Sequence, residues 1–64
     1  MMELHQHRVV NEKADLDCRL HALADFMGLS LFVSLPLQEQ ARLHRQLRVM
    51  REYSSILAER IEAF

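Results

Sequence analysis

An internal disulfide is excluded at the outset, because Cys18 is the only cysteine. A lone thiol fits a reducing compartment. Gly28 is the only glycine, so no glycine-rich loop is available to cradle a phosphate. Pro36 is the only proline, and the long stretches on either side of these two residues contain no helix breaker. Tryptophan is absent, and Tyr53 is the only tyrosine. No apolar run is long enough to span a bilayer. The start, "MMELHQHRVV", lacks the basic-then-apolar order of a signal peptide. Charge of one sign is also missing: the formal net charge is -1, which argues against broad electrostatic attraction to nucleic acid. These absences predict a cytoplasmic protein with no membrane association. At 64 residues it is too short to be robust alone without a metal, a disulfide or a partner chain.

The remaining composition favours helix, with Leu, Ala, Glu, Gln and Arg dominating both flanks of the centre. In the first flank Val9, Leu16, Leu20, Leu23 and Met27 fall on one helical stripe. In the second, Leu43, Leu47, Met50, Leu57, Ile61 and Phe64 do the same, with one step landing on Ser54. Alternating threes and fours mark helices that pack lengthwise. The predicted fold is all-α, an antiparallel two-helix hairpin. A single domain over 1–64 would carry helix 1 at about 3–27, an apolar turn at 28–35 and helix 2 at about 36–64. Gly28 is expected to close helix 1 in a left-handed conformation. Pro36 is expected in the first turn of helix 2, with Ser34 as a cap. The turn, "GLSLFVSLPL", is apolar where turns are normally polar. Phe32 and Leu35 either plug the open end of the hairpin or form a tip that meets a partner.

On a helical wheel at about 100° per residue, the apolar arc of helix 2 extends past its seam through Val49, Tyr53, Ile56 and Ala63. The arc covers roughly twice what one neighbouring helix needs. A second copy is the economical cover. Self-association through Val49, Tyr53 and Ile56 would give a dimeric four-helix bundle or a larger helical oligomer.

Charge is unevenly placed. Residues 11–27 are net acidic and residues 37–53 net basic, by two charges each. Side by side in a hairpin, each is expected to neutralise the other. The arginines of "RLHRQLRVMREY" recur every third residue, which winds them around the helix. Arg48 and Arg51 are expected on the solvated back. Arg42, Arg45 and Arg60 border the strip that bears Tyr53. Arginine forks bind phosphate oxygens, and a tyrosine ring can stack on a base. These four residues are therefore a candidate site for a small phosphorylated nucleotide, with Phe32 a candidate partner contact at the tip. The alternative for the arginines is snorkelling around a helix–helix interface. His5 and His7 point to opposite sides of a helix, and no Cys-x-x-Cys or His-x-x-x-His spacing occurs. No metal, cofactor or catalysis is expected, and nucleic-acid binding is disfavoured because no clear basic recognition helix is present.

The segments "HQHRVVNEKADLDCRLHAL" (5–23), "LFVSLPLQEQARLHRQLRVMREYSSIL" (31–57) and "ERIEAF" (59–64) resemble, in combination, a family of short helical-hairpin proteins of tailed phages and prophages. These are early accessory proteins, similar to those of the lambdoid exo–xis region. Cys18 and the "GLSL" tract depart from the family's more polar residues. The resemblance implies an accessory protein in the host bacterial cytoplasm. It would bind a host or phage macromolecule and modulate the lysis–lysogeny choice or host physiology. The competing expectation is an oligomeric sponge that sequesters a nucleotide signal of bacterial immunity.

Overall fold

A computed structural model of the chain describes residues 2–64. Three helices follow one another: α1 (Leu4–Met27), α2 (Ser30–Val33) and α3 (Leu37–Glu62). The fold is all-α, a rod of 49 × 14 × 13 Å in which α1 and α3 pack lengthwise. They run antiparallel. His5 meets Phe64 at one end, Asp17 meets Ser54 in the middle, and Phe32 beside α1's Phe26 and α3's His44 closes the other end.

The core is the two stripes brought face to face. Val9, Leu16 and Leu20 of α1 and Leu47 and Leu57 of α3 are buried. Leu23, Met27, Leu43, Met50 and Ile61 are half-buried along the same seam. Leu57 has no exposed surface and sits with Val9 and Leu16 in the tightest part of the core. Phe64 lies past the end of α3 and stays 44% exposed, its ring edge-on to His5. Where the stripe of α3 lands on Ser54, a polar pair replaces an apolar one. Ser54 Oγ donates to Asp17 Oδ1, and Lys13 Nζ donates to Asp17 Oδ2 at 2.6 Å. The bonds from Lys13 and then Ser54 hold the Asp17 carboxyl below the usual carboxylate range.

The connection differs in detail from the sequence expectation. Gly28 closes α1 at φ -87°, a right-handed conformation open to any residue, because the chain continues into α2 without reversing hand. Ser34 caps nothing on α3. Its hydroxyl donates to the Leu31 carbonyl at 2.6 Å. Pro36 stands just before α3 rather than within its first turn. Gln40 supplies the link instead, its side chain donating to the carbonyls of Val33 (3.2 Å) and Leu35 (2.8 Å). Phe32 is buried between the edges of Phe26 and His44, and Leu35 is half-buried. Around this plug Leu29, Leu31, Val33 and Leu37 stay exposed.

Mutual neutralisation of the two helices does not take the form of ion pairs. Among the described residues the ion pairs are Lys13–Asp17 and Glu39–Arg42, each within one helix. Of the acidic side chains of α1 on the side of α3, Asp17 is engaged by Lys13 of its own helix, and Glu12 makes no ion pair. Of the arginines of α3 that precede Tyr53, Arg42 pairs with Glu39, and Arg45, Arg48 and Arg51 make no ion pair among the described residues.

Candidate functional site

Two concavities lie side by side on one flank of the hairpin. The first, of about 590 Å³, is the groove between α1 and α3. Leu16, Leu23 and Met50 supply its apolar lining. Its polar lining is Glu12 and Arg19 from α1, and Gln46 and Tyr53 from α3. The second, of about 400 Å³, runs along α3 and gathers Arg42, Arg45 and Arg48 around Val49. Gln46 and Met50 line both, so the two form one continuous surface.

Helix geometry explains the arrangement. Leu16 is locked in the core, and Glu12 and Arg19, four before and three after it, fall on its flank. Opposite them Gln46, Met50 and Tyr53 recur at steps of four and three on α3. Among the described residues Arg45 and Arg48 make no ion pair. Arg42 has one exposed partner, Glu39, at 2.9 Å. An exposed pair of this kind is weakly held and readily exchanged for a phosphate.

The candidate residues read from sequence divide into three groups. Arg42, Arg45 and Tyr53 are brought to this one flank with Val49 (58% exposed), whereas Ile56 (48% exposed), three residues after Tyr53 on α3, lines neither concavity. Arg60 is not brought in: it stands in the last turn of α3, about 27 Å along the axis from Arg42. Phe32 is withdrawn from contact: it is the plug itself, 4% exposed between Phe26 and His44. Arg48 was expected on the solvated back, but it lines the same concavity as Arg42 and Arg45. A wheel tracks Cα directions, and a long arginine side chain reaches well beyond its own sector. Glu12, Arg19 and Gln46 were missed. A visible signal was the seven-residue spacing of Glu12 and Arg19 astride Leu16, which sets both on one edge of the seam.

The surface suits a ligand with a flat, partly apolar body and more than one negative charge. Planar guanidinium groups match phosphate oxygens bidentately, and Tyr53 and Met50 offer surface to a ring. Among the described residues no grouping of His, Cys, Asp and Glu could hold a metal ion. No helix is long and apolar enough to cross a membrane.

A family model described as Sequestin matches residues 3–63, nearly the whole chain. No curated protein and no solved structure matches it. The family match overturns the resemblance to lambdoid early accessory proteins.

Proposed function

The chain belongs to the Sequestin family, and we propose that it sequesters a small phosphorylated nucleotide, an immune signal of the bacterial host. It would be encoded by a phage or prophage and act against host defence as a sponge. The action is binding, with no bond made or broken. The family's name supports the sequestering reading over lysis–lysogeny control. The observation that carries the chemistry is the gathering of Arg42, Arg45 and Arg48 on one concave surface, contiguous with Tyr53.

Self-association completes this reading. Val49, Tyr53 and Ile56 are exposed on the same flank and form the second seam. A two-fold axis midway between Val49 and Ile56 sets those two residues opposite each other in an antiparallel pair. It likewise sets Arg45, four residues before Val49, opposite Arg60 of the second copy, four residues after Ile56. Two guanidinium groups facing each other repel, and a phosphate between them turns the repulsion into a clamp. Arg60, remote within one chain, thereby joins the site.

The test is thermal stability of the full chain with and without a panel of linear and cyclic nucleotides. A ligand at 100 times its Kd should stabilise the fold by about 2.7 kcal/mol. Heating the complex should release the nucleotide chemically unchanged. Arg42→Ala and Arg45→Ala should each weaken binding about tenfold or more, the scale of one charged hydrogen bond. A flat response to the whole panel, or recovery of a cleaved nucleotide, would reject the sponge reading.

The exposed tip of Leu29, Leu31, Val33 and Leu37 supports a second reading, docking of a host or phage protein. Binding partners that are lost when this tip is made polar, in a variant that still binds nucleotide, would favour it.

A further inference from the structure

We propose that Asp17 and Ser54 are positioning residues: their hydrogen bond sets the rotation of α3 about its own axis, which keeps Tyr53 out of the seam and in the groove. The inference deepens the nucleotide-sequestering reading and rests on it for the effect on binding.

The need for such a device follows from the wide apolar arc of α3. The middle of the seam carries Met50, Ser54 and Leu57, and the outer flank carries Val49, Tyr53 and Ile56, each one residue earlier. One residue is about 100° of rotation about the helix axis. Apolar burial has no direction, so the apolar stripe of α1 attracts either set. The ends of α3 oppose a full roll, because it would carry Arg42 and Arg60 into the seam in place of Leu43 and Ile61. In the middle the flank set is wholly apolar, whereas the seam set contains a serine. Burial alone therefore favours Tyr53 over Ser54 against α1. The structure has the opposite arrangement. Ser54 is half-buried on α1, and Tyr53 is 41% exposed.

Hydrogen bonding decides between the two. Ser54 Oγ donates to Asp17 Oδ1, and among the described residues this is the only side-chain hydrogen bond between α1 and α3. A hydrogen bond is directional where an apolar contact is not. Lys13 holds the other carboxylate oxygen from within α1, which orients the acceptor for Ser54. Asp17 directly follows Leu16, and Ser54 directly follows Tyr53, and Leu16 and Tyr53 both line the groove. A roll of α3 toward its flank would withdraw the Ser54 hydroxyl and leave a half-buried carboxylate oxygen without its partner across the seam. The break in the apolar stripe at Ser54 is therefore what fixes the groove's composition.

The experiment compares the wild type, Ser54→Thr and Asp17→Leu/Ser54→Leu as full chains. Each is melted, titrated calorimetrically with a panel of linear and cyclic nucleotides, and followed by proton NMR at the ring of Tyr53, the only tyrosine. The double substitution replaces both partners by apolar groups and completes the stripe of α3, so its Tm should equal or exceed that of the wild type. Its Tyr53 ring signals should nevertheless broaden or split, and its nucleotide affinity should fall about tenfold. Ser54→Thr keeps a hydroxyl and should retain one sharp set of ring signals and the wild-type affinity. Ser54→Ala removes only the donor and supplies the same ring readout if the double variant does not fold. One sharp set of ring signals in the variants that lack the hydroxyl, whatever their Tm, overturns the inference, since the pair would then only stabilise the seam. If the wild type binds no nucleotide, the sequestering reading fails, and the ring signals still decide the positioning role.

Discussion

Asp17 is the residue at which the hairpin departs from a purely apolar seam. It accepts from Lys13 on its own helix and from Ser54 across the seam, and these bonds favour its charged form. Its pKa is therefore lower folded than unfolded. The folded chain binds fewer protons, so this contribution is fully present above the ordinary carboxylate range. It is lost as pH falls through the lowered value. Thermal melts from about pH 6 to pH 2 should show the wild type losing more of its melting temperature than Asp17→Asn. Parallel acid profiles for the two would remove Asp17 from the list of stabilising residues. Side-chain reach works at the same scale. Arg48 lines the same concavity as Arg42 and Arg45, although the three residues do not share a face of the helix, because a long arginine stem reaches beyond its own sector.

At the scale of elements, the pairing of α1 with α3 holds the fold and α2 closes it. Leu57 is the most enclosed side chain of that pairing, packed on Val9 and Leu16. Leu57→Ala should cost about 2–5 kcal/mol, from lost burial and the cavity left behind. A 64-residue chain has a total stability of only roughly 3–10 kcal/mol, so the variant should melt far lower or be unfolded at room temperature. Leu37 is equally apolar but 80% exposed. Leu37→Ala should change stability by less than about 0.5 kcal/mol. Urea unfolding followed by circular dichroism checks both, and a similar loss in the two would mean that the tip is packed in solution. The helix at Ser30–Val33 explains why an apolar turn is tolerated: one face of a single helical turn buries Phe32, and its other residues remain outside.

At the scale of the whole molecule, the flank on which α3 exposes Val49, Tyr53 and Ile56 is where the proposed assembly and the proposed ligand binding would meet. A thin rod of two helices buries little surface, and this flank leaves large apolar groups in water beside three arginines. Tyr53→Glu places a negative charge in the proposed second seam and should shift the solution mass to that of a monomer in light scattering across a dilution series. Arg48→Ala should leave that mass unchanged. An unaltered mass for Tyr53→Glu would place the interface elsewhere. If assembly and binding are linked through Arg45 and Arg60 of two copies, nucleotide should also make the assembly resist dilution.

The sequence by itself determined the helical hairpin, because that information is periodic. Val9, Leu16, Leu20, Leu47 and Leu57 fall on stripes whose burial follows from 3.6 residues per turn. It also set out Arg42, Arg45 and Tyr53 as neighbours on one side of α3, since residues a few turns apart on one helix keep a fixed relation. Only the tertiary structure decided what faces them. Glu12 and Arg19 lie more than twenty residues away in the chain, and the antiparallel register of α1 against α3 brings them across the groove from Gln46 and Tyr53. That register also buried Phe32 under the tip and kept Arg60 apart. A helical wheel gives the direction of a residue about its own axis. The composition of a groove depends on how two axes are set against each other, and packing fixes that.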